Sequence, residues 1–163
     1  MESAAIKSIG WIGTGVMGSS MCKHLLAKGY SLSVYNRTKA KAEPLISLGA
    51  AYKNPEEIAT SCQAIFLMLG YPQDLEDLLF KKENLLKLIP AGTYLIDHTT
   101  SSPQLASRIY SEAKLQGIYS IDAPVSGGDI GARDGKLVIM CGGEEEAFEK
   151  LKPIFSCYGT NIR

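Results

Sequence analysis

The stretch Lys7-Ser8-Ile9-Gly10-Trp11-Ile12-Gly13-Thr14-Gly15-Val16-Met17-Gly18 decides the fold. Residues 7–12 are a short apolar run that ends at glycine, the pattern of a buried strand. Gly13, Gly15 and Gly18 then follow in a G-x-G-x-x-G spacing. Residues 16–28 read as an amphipathic helix. Met17, Met21 and Leu25 recur at i, i+4 and i+8, with Cys22 and Leu26 on the same stripe, and Gly29 suits the cap. Residues 31–35 are the next strand, with Leu32 and Val34 alternating against Ser31 and Ser33. A glycine spacing alone is a weak signal; between a strand and a helix it has a mechanism. Gly13 permits a tight turn, Gly15 lets a diphosphate approach the backbone, and Gly18 lets the helix lie close on the sheet. Free N–H groups at the positive end of the helix then face the phosphates. Gly13, Thr14, Gly15, Val16, Met17 and Gly18 are therefore candidate dinucleotide ligands.

The same alternation continues along the chain. Residues 38–48 are helical by composition, and Pro44 predicts a kink or a late start. Asn54-Pro55-Glu56-Glu57 opens another helix, with a cap, a first-turn proline and two acids at the positive end. Residues 64–69 are a fully apolar strand, as expected where helices cover both sheet faces. Residues 72–80 and 84–89 are helical pieces, and 93–97 is a strand. A helix opens at Ser102-Pro103 and ends near Gly117; strands at 118–122 and 137–141 and a helix at 144–154 complete the order. The fold class is α/β: a doubly wound, mostly parallel, Rossmann-like sheet. All of residues 1–163 read as one NAD(P)-binding domain.

Composition narrows the function classes. The chain has 163 residues, 17 Lys+Arg and 17 Asp+Glu, so its formal charge is zero. That balance argues against a nucleic-acid grip or a polybasic membrane contact. The longest apolar run, Ala64 through Leu69, is far too short to span a bilayer. The amino end lacks the regions of a signal peptide, so the expected location is cytoplasmic, or organellar if a presequence has been removed. Cys22, Cys62, Cys141 and Cys157 form no C-x-x-C pair and read as reduced, mostly buried thiols. His24 and His98 lie far apart, and no metal site is expected.

The end of the second strand selects the nucleotide. An NAD site usually places an acid there for the ribose 2′-OH, but this chain reads Tyr35-Asn36-Arg37-Thr38. Asn36 brings no charge to repel a 2′-phosphate, Arg37 brings a forked cation, and Thr38 adds a hydroxyl. NADP is therefore expected over NAD.

Two blocks carry a resemblance to a family. Residues 9–18 followed by Tyr35-Asn36-Arg37-Thr38 form the first. Asp122-Ala123-Pro124-Val125-Ser126-Gly127-Gly128, continuing through Gly131-Ala132, Gly135, Leu137 and Gly142-Gly143, forms the second. Together they resemble the β-hydroxyacid dehydrogenases, which include 3-hydroxyisobutyrate dehydrogenase, glyoxylate/succinic semialdehyde reductase and 6-phosphogluconate dehydrogenase. The 3-hydroxyisobutyrate dehydrogenase-like members look most similar. The resemblance implies hydride transfer between a nicotinamide and a small hydroxyacid or semialdehyde. It implies that Met68, Leu69 and Gly70 pass the nicotinamide ribose, although many relatives have Leu-Pro where this chain has Leu69-Gly70. It places Thr100 at the nicotinamide end, within Asp97-His98-Thr99-Thr100. His98 often corresponds to an apolar residue in relatives and reads as a local variation. Ser126, Gly127 and Gly128 would hold the substrate carboxylate; bare glycine amides and a hydroxyl suit an anion.

In that family a lysine is the general acid/base, in a segment that would follow Arg163, ahead of an all-helical domain that usually forms the oligomer. The resemblance thus implies that the full-length parent is a homo-oligomer. No catalytic residue is expected within this chain, and Lys136 and Lys152 read as solvated surface charges. The chain alone is expected to bind cofactor and turn over poorly. A glyoxylate/succinic semialdehyde reductase and a noncatalytic NADP-binding module are the alternatives.

Overall fold

A computed structural model describes residues 5–99 and 102–163. Ten strands and seven α-helices alternate through it. Strands β1 (Ser8–Ile12), β2 (Ser31–Tyr35), β3 (Ala51–Tyr52), β4 (Ala64–Leu67), β5 (Tyr94–Asp97), β6 (Tyr119–Asp122) and β9 (Gly142–Gly143) form one sheet in the order 3-2-1-4-5-6-9. All its pairings are parallel except β6 with β9. A second sheet has the order β10 (Gly159–Ile162), β8 (Leu137–Ile139), β7 (Val125–Ser126).

Each central strand is buried on both faces, so its alternate residues enter two different cores. Ile9, Trp11, Ala64, Phe66 and Ile96 point into one. That core is closed by α1 (Val16–Ala27), α2 (Glu43–Ser47), α6 (Gly128–Asp134) and α7 (Glu145–Phe155). Ile12, Ile65, Leu67 and Leu95 point into the other, covered by α3 (Pro55–Ser61), α4 (Pro72–Glu76) and α5 (Pro103–Leu115). Strand β1 lies between β2 and β4, so the strand order reverses beside it. The crevice at such a reversal is where doubly wound sheets bind ligands.

The local devices follow the residues. The Asn54 side chain accepts from the Glu57 amide while the Glu57 side chain accepts from the Asn54 amide, a reciprocal cap on α3. Pro44 does give a late start: a 3₁₀ turn over Lys39–Ala42 precedes α2, and the proline occupies its first turn. The helical piece after Pro72 passes from α4 into a wider π turn at Asp77–Lys81, and Leu85–Leu88 is 3₁₀. Strand β4 stops at Leu67, two residues before its apolar run ends, because Met68 and Leu69 turn along the crevice rim. Val125–Ser126 and Gly128–Asp134, where the sequence pattern marks no element, fold as β7 and α6. His24 on α1 sets Nε2 3.0 Å from the carbonyl oxygens of both Ala132 and Arg133, so its ring N–H donates to the open end of α6.

Candidate functional site

The glycine loop leaves β1 at the strand reversal and enters α1. Gly13 has φ +108°, and a Cβ there would stand 2.0 Å from the Met68 carbonyl oxygen. Only glycine lets the loop cross the end of β4 at that distance. A Cβ on Gly18 would stand 2.3 Å from the Gly13 oxygen and 3.2 Å from the Trp11 indole nitrogen. Its absence lets α1 sit against the loop. At Gly15 nothing lies within 4 Å of a built Cβ, so the space beside that backbone is open. Two contacts closed and one open is the arrangement that a bound diphosphate needs.

The loop is held from three sides. The Gly13 amide donates to the Tyr35 carbonyl at 2.9 Å. The Trp11 indole donates to the Gly13 carbonyl at 3.0 Å, and that ring is stacked on Phe66 with centroids 5.2 Å apart. The Thr14 amide donates to Asn36 Oδ1 at 2.9 Å, while Asn36 Nδ2 donates to the Thr38 carbonyl at 3.0 Å. Tyr52 donates its hydroxyl to the Asn36 carbonyl at 2.9 Å. The amides of Val16, Met17 and Gly18 open α1 and have no carbonyl a turn earlier to bond. They are the donors left for an anion.

A groove of about 710 Å³ runs from this loop, within the size range of cofactor sites. Gly13, Gly15, Met17 and Gly18 line it at one wall, Asn36, Arg37 and Thr38 at a second, and Met68, Leu69 and Gly70 at a third. Thr14 is buried, its hydroxyl the one buried side-chain oxygen or nitrogen without a partner among the described residues. Val16 stands beside the groove, 69% exposed. Thr100 lies outside the described residues. Ser126, Gly127 and Gly128 are exposed at the start of α6 and do not line the groove. Gly127 and Gly128 have φ of +133° and +64° there, a bend open only to glycine.

Five charged groove residues carry signals too weak to read in sequence. Lys41 and Lys82 add cations, and Asp74, Asp77 and Glu83 add carboxylates. Arg37 is 85% exposed on its side chain and lies 3.8 Å from Asp74, a long and solvated pair. Such pairs contribute about 1 kcal/mol or less, so a phosphate can take the guanidinium from it. At the other end, the Leu69 amide donates to Thr99 Oγ1 at 2.9 Å, and Asp97 Oδ1 accepts from the Thr99 amide at 2.8 Å. The open Gly15 edge, the free amides and the cations at the far wall fit a nicotinamide dinucleotide.

A separate cavity of about 410 Å³ lies between α5 and strands β4, β5 and β6. Its walls are mostly aliphatic, and its charged groups are the carboxylates Asp97 and Asp122. It offers a diphosphate no cation. Neither Cys22 nor Cys141 is an activated thiol. Burial, then the Asp122 charge, pushes the Cys141 thiol up to about 11, and burial pushes Cys22 well above its usual value. Among the described residues there is no cluster of three or more metal-ligating side chains, and no helix is long and apolar enough to cross a membrane.

An oxidoreductase of Bacillus subtilis named YkwC, uncharacterized, is 48% identical over 158 residues, covering 96% of this chain and 55% of that protein. The probable 3-hydroxyisobutyrate dehydrogenase-like 1, mitochondrial, of Arabidopsis thaliana is 47% identical over 153 residues, covering 93% and 46%. A solved structure of Psf3 in complex with NADP+ and 2-OPP superposes with a TM-score of 0.89 at 28% identity, covering 94% and 55%. The chain spans about half the length of the curated relatives it matches. Residues 8–163 match the family described as the NAD binding domain of 6-phosphogluconate dehydrogenase. With its switch-point groove and its 3-hydroxyisobutyrate dehydrogenase-like relatives, the chain belongs to that NAD-binding oxidoreductase family.

Proposed function

We propose that this chain is the NADP-binding part of an oxidoreductase that interconverts a small hydroxyacid and its semialdehyde. The observation that carries the reading is the open edge at Gly15, set between two glycines whose missing side chains close the loop. The amides of Val16, Met17 and Gly18 hold the diphosphate. Arg37 and Thr38 grip the 2′-phosphate, with Asn36 keeping that corner uncharged while it anchors Thr14. Met68, Leu69 and Gly70 guide the nicotinamide ribose, and Thr100 meets the nicotinamide end. NADP+ in the Psf3 structure supports the choice of a nicotinamide dinucleotide; the preference for the phosphorylated form rests on Arg37.

A nicotinamide held by these residues would supply the hydride chemistry, as acceptor or donor. This chain's residues orient that exchange. Ser126, Gly127 and Gly128 present a hydroxyl and bare amides to the substrate carboxylate. The proton belongs to a lysine that the family resemblance places after Arg163. Lys136 and Lys152 are exposed. The chain by itself therefore binds NADPH and turns over poorly. A screen of the full-length protein with NADPH against methylmalonate semialdehyde, succinic semialdehyde, glyoxylate and tartronate semialdehyde tests the reading. Oxidation of NADPH with one of them is expected, and no turnover by folded full-length protein would overturn the enzymatic reading.

A further inference from the structure

His98 is buried in an aromatic cage, with the rings of Trp11, Phe66, Phe155 and Tyr158 centred 5.7 to 5.8 Å away. Both ring nitrogens are engaged. Nδ1 lies 2.6 Å from the Ala123 carbonyl and Nε2 lies 2.8 Å from the Tyr158 hydroxyl. A carbonyl only accepts, so Nδ1 carries the proton and Nε2 accepts from Tyr158. Burial pushes the Tyr158 hydroxyl well up, so that donor keeps its proton, and burial lowers His98 to about 4, so the ring is neutral.

These bonds close a circuit between the two sheets. The Ala123 amide donates to the Asp97 carbonyl at 2.8 Å, so Asp97 and His98 hold both backbone polar groups of Ala123. Three residues on, Ser126 pairs with Val138 of β8. Leu137, which begins β8, donates its amide to the Tyr158 carbonyl at 3.1 Å. Tyr158 returns to His98 through its hydroxyl. An apolar side chain could fill the cage but would hold neither end of the circuit.

We propose that His98 is a positioning residue: it braces the small sheet, which carries Ser126 and leads into Gly127 and Gly128, against the turn after β5, where Thr99 holds Leu69. The brace fixes the distance between the carboxylate-binding loop and the nicotinamide-binding turn. It rests on the proposed carboxylate role of that loop.

Paired substitutions separate this role from simple core filling. Asn puts an amide N–H near the place of Nδ1, and Gln reaches the place of Nε2. Amide hydrogen exchange on the 163-residue chain is the readout. In His98→Gln, exchange at residues 125–128 and 137–139 should rise roughly tenfold relative to β1 and β4. In His98→Asn, which keeps the Ala123 bond and loses the Tyr158 bond, the rise should be confined to residues 137–139, with residues 125–128 within about threefold of the original. Equal effects of the two variants, or a rise spread evenly over β1 and β4, would overturn the brace. An Nε2-protonated tautomer in the long-range ¹H–¹⁵N spectrum would overturn it too. If His98→Gln does not fold, Tyr158→Phe decides: faster exchange confined to residues 137–139 and 125–128 supports the brace, and unchanged exchange overturns it. Adding 3-hydroxyisobutyrate to the NADP+-loaded chain tests the carboxylate reading separately. Missing shifts at residues 126–128 would retire that reading, while the exchange pattern still decides the brace.

Discussion

Arg37 stands almost wholly in solvent, and its long approach to Asp74 holds it weakly. Its contribution therefore depends on a ligand. One charge-assisted hydrogen bond contributes about 1.5–3 kcal/mol. Arg37→Ala should weaken NADPH roughly ten- to a hundredfold and barely change NADH, measured by calorimetry. Equal losses for both would remove the 2′-phosphate assignment. His98 gives a pH dependence with a defined sign. Its ordinary value is 6.5, and burial lowers it to about 4 in the fold. Between those values the unfolded chain takes up a proton that the folded chain refuses. This contribution is complete above about pH 6.5 and is lost as pH falls toward 4, by about 3 kcal/mol. The comparison is with His98→Asn, which removes this titration and leaves every other group in place. The drop in urea midpoint from pH 7 to pH 4.5 should be smaller in that variant than in the original chain; an equal drop would contradict the assignment.

At the scale of the element, the strand–loop–helix unit separates stability from binding. Gly18→Ala forces a Cβ to 2.3 Å from the Gly13 oxygen, so α1 must shift. Overpacking of that kind costs about 1–3 kcal/mol, visible as a lower melting temperature. Gly15 has φ −68° and empty space beside it, so Gly15→Ala should leave melting nearly unchanged. It should weaken NADPH roughly tenfold by filling the ligand's edge. If the two variants exchanged these phenotypes, the roles given to the glycines would be wrong. Asn54→Ala removes the reciprocal cap on α3 and should cost about 1 kcal/mol of stability with nucleotide affinity unchanged.

The same unit explains what the sequence makes legible. Strands of four or five residues buried on both faces announce themselves as apolar runs, and α1 announces itself by its stripe. The elements that escape reading are short or glycine-rich. Ala51–Tyr52 and Val125–Ser126 are too brief for any period to show, and Gly128–Asp134 hides a helix behind three glycine-type signals. Gly159–Ile162 pairs only because Leu137 is already in place, a fact of tertiary contact. The Pro44 break was readable because proline limits its own backbone. In the site, Gly13, Gly15, Gly18 and Arg37 were legible from spacing. Trp11 was not, because a strand tryptophan gives no sign that its indole reaches the Gly13 carbonyl. Nor was the His98 circuit, whose partners lie 25 and 60 residues away in sequence.

Across the whole molecule, two cores clamp one sheet, and the crevice opens where the strand order reverses. One core holds the helix behind the diphosphate loop together with the small sheet that bears Ser126; α1 and α6 touch through His24. The proposed nucleotide and carboxylate sites are therefore mounted on one side of the domain. The other core carries α4 and the Asp74 wall. Isothermal titration of the folded 163-residue chain with NADPH and with NADH probes this arrangement most directly. Saturable heat from NADPH, with weaker binding of NADH, is the expected result. No heat from either nucleotide would contradict it.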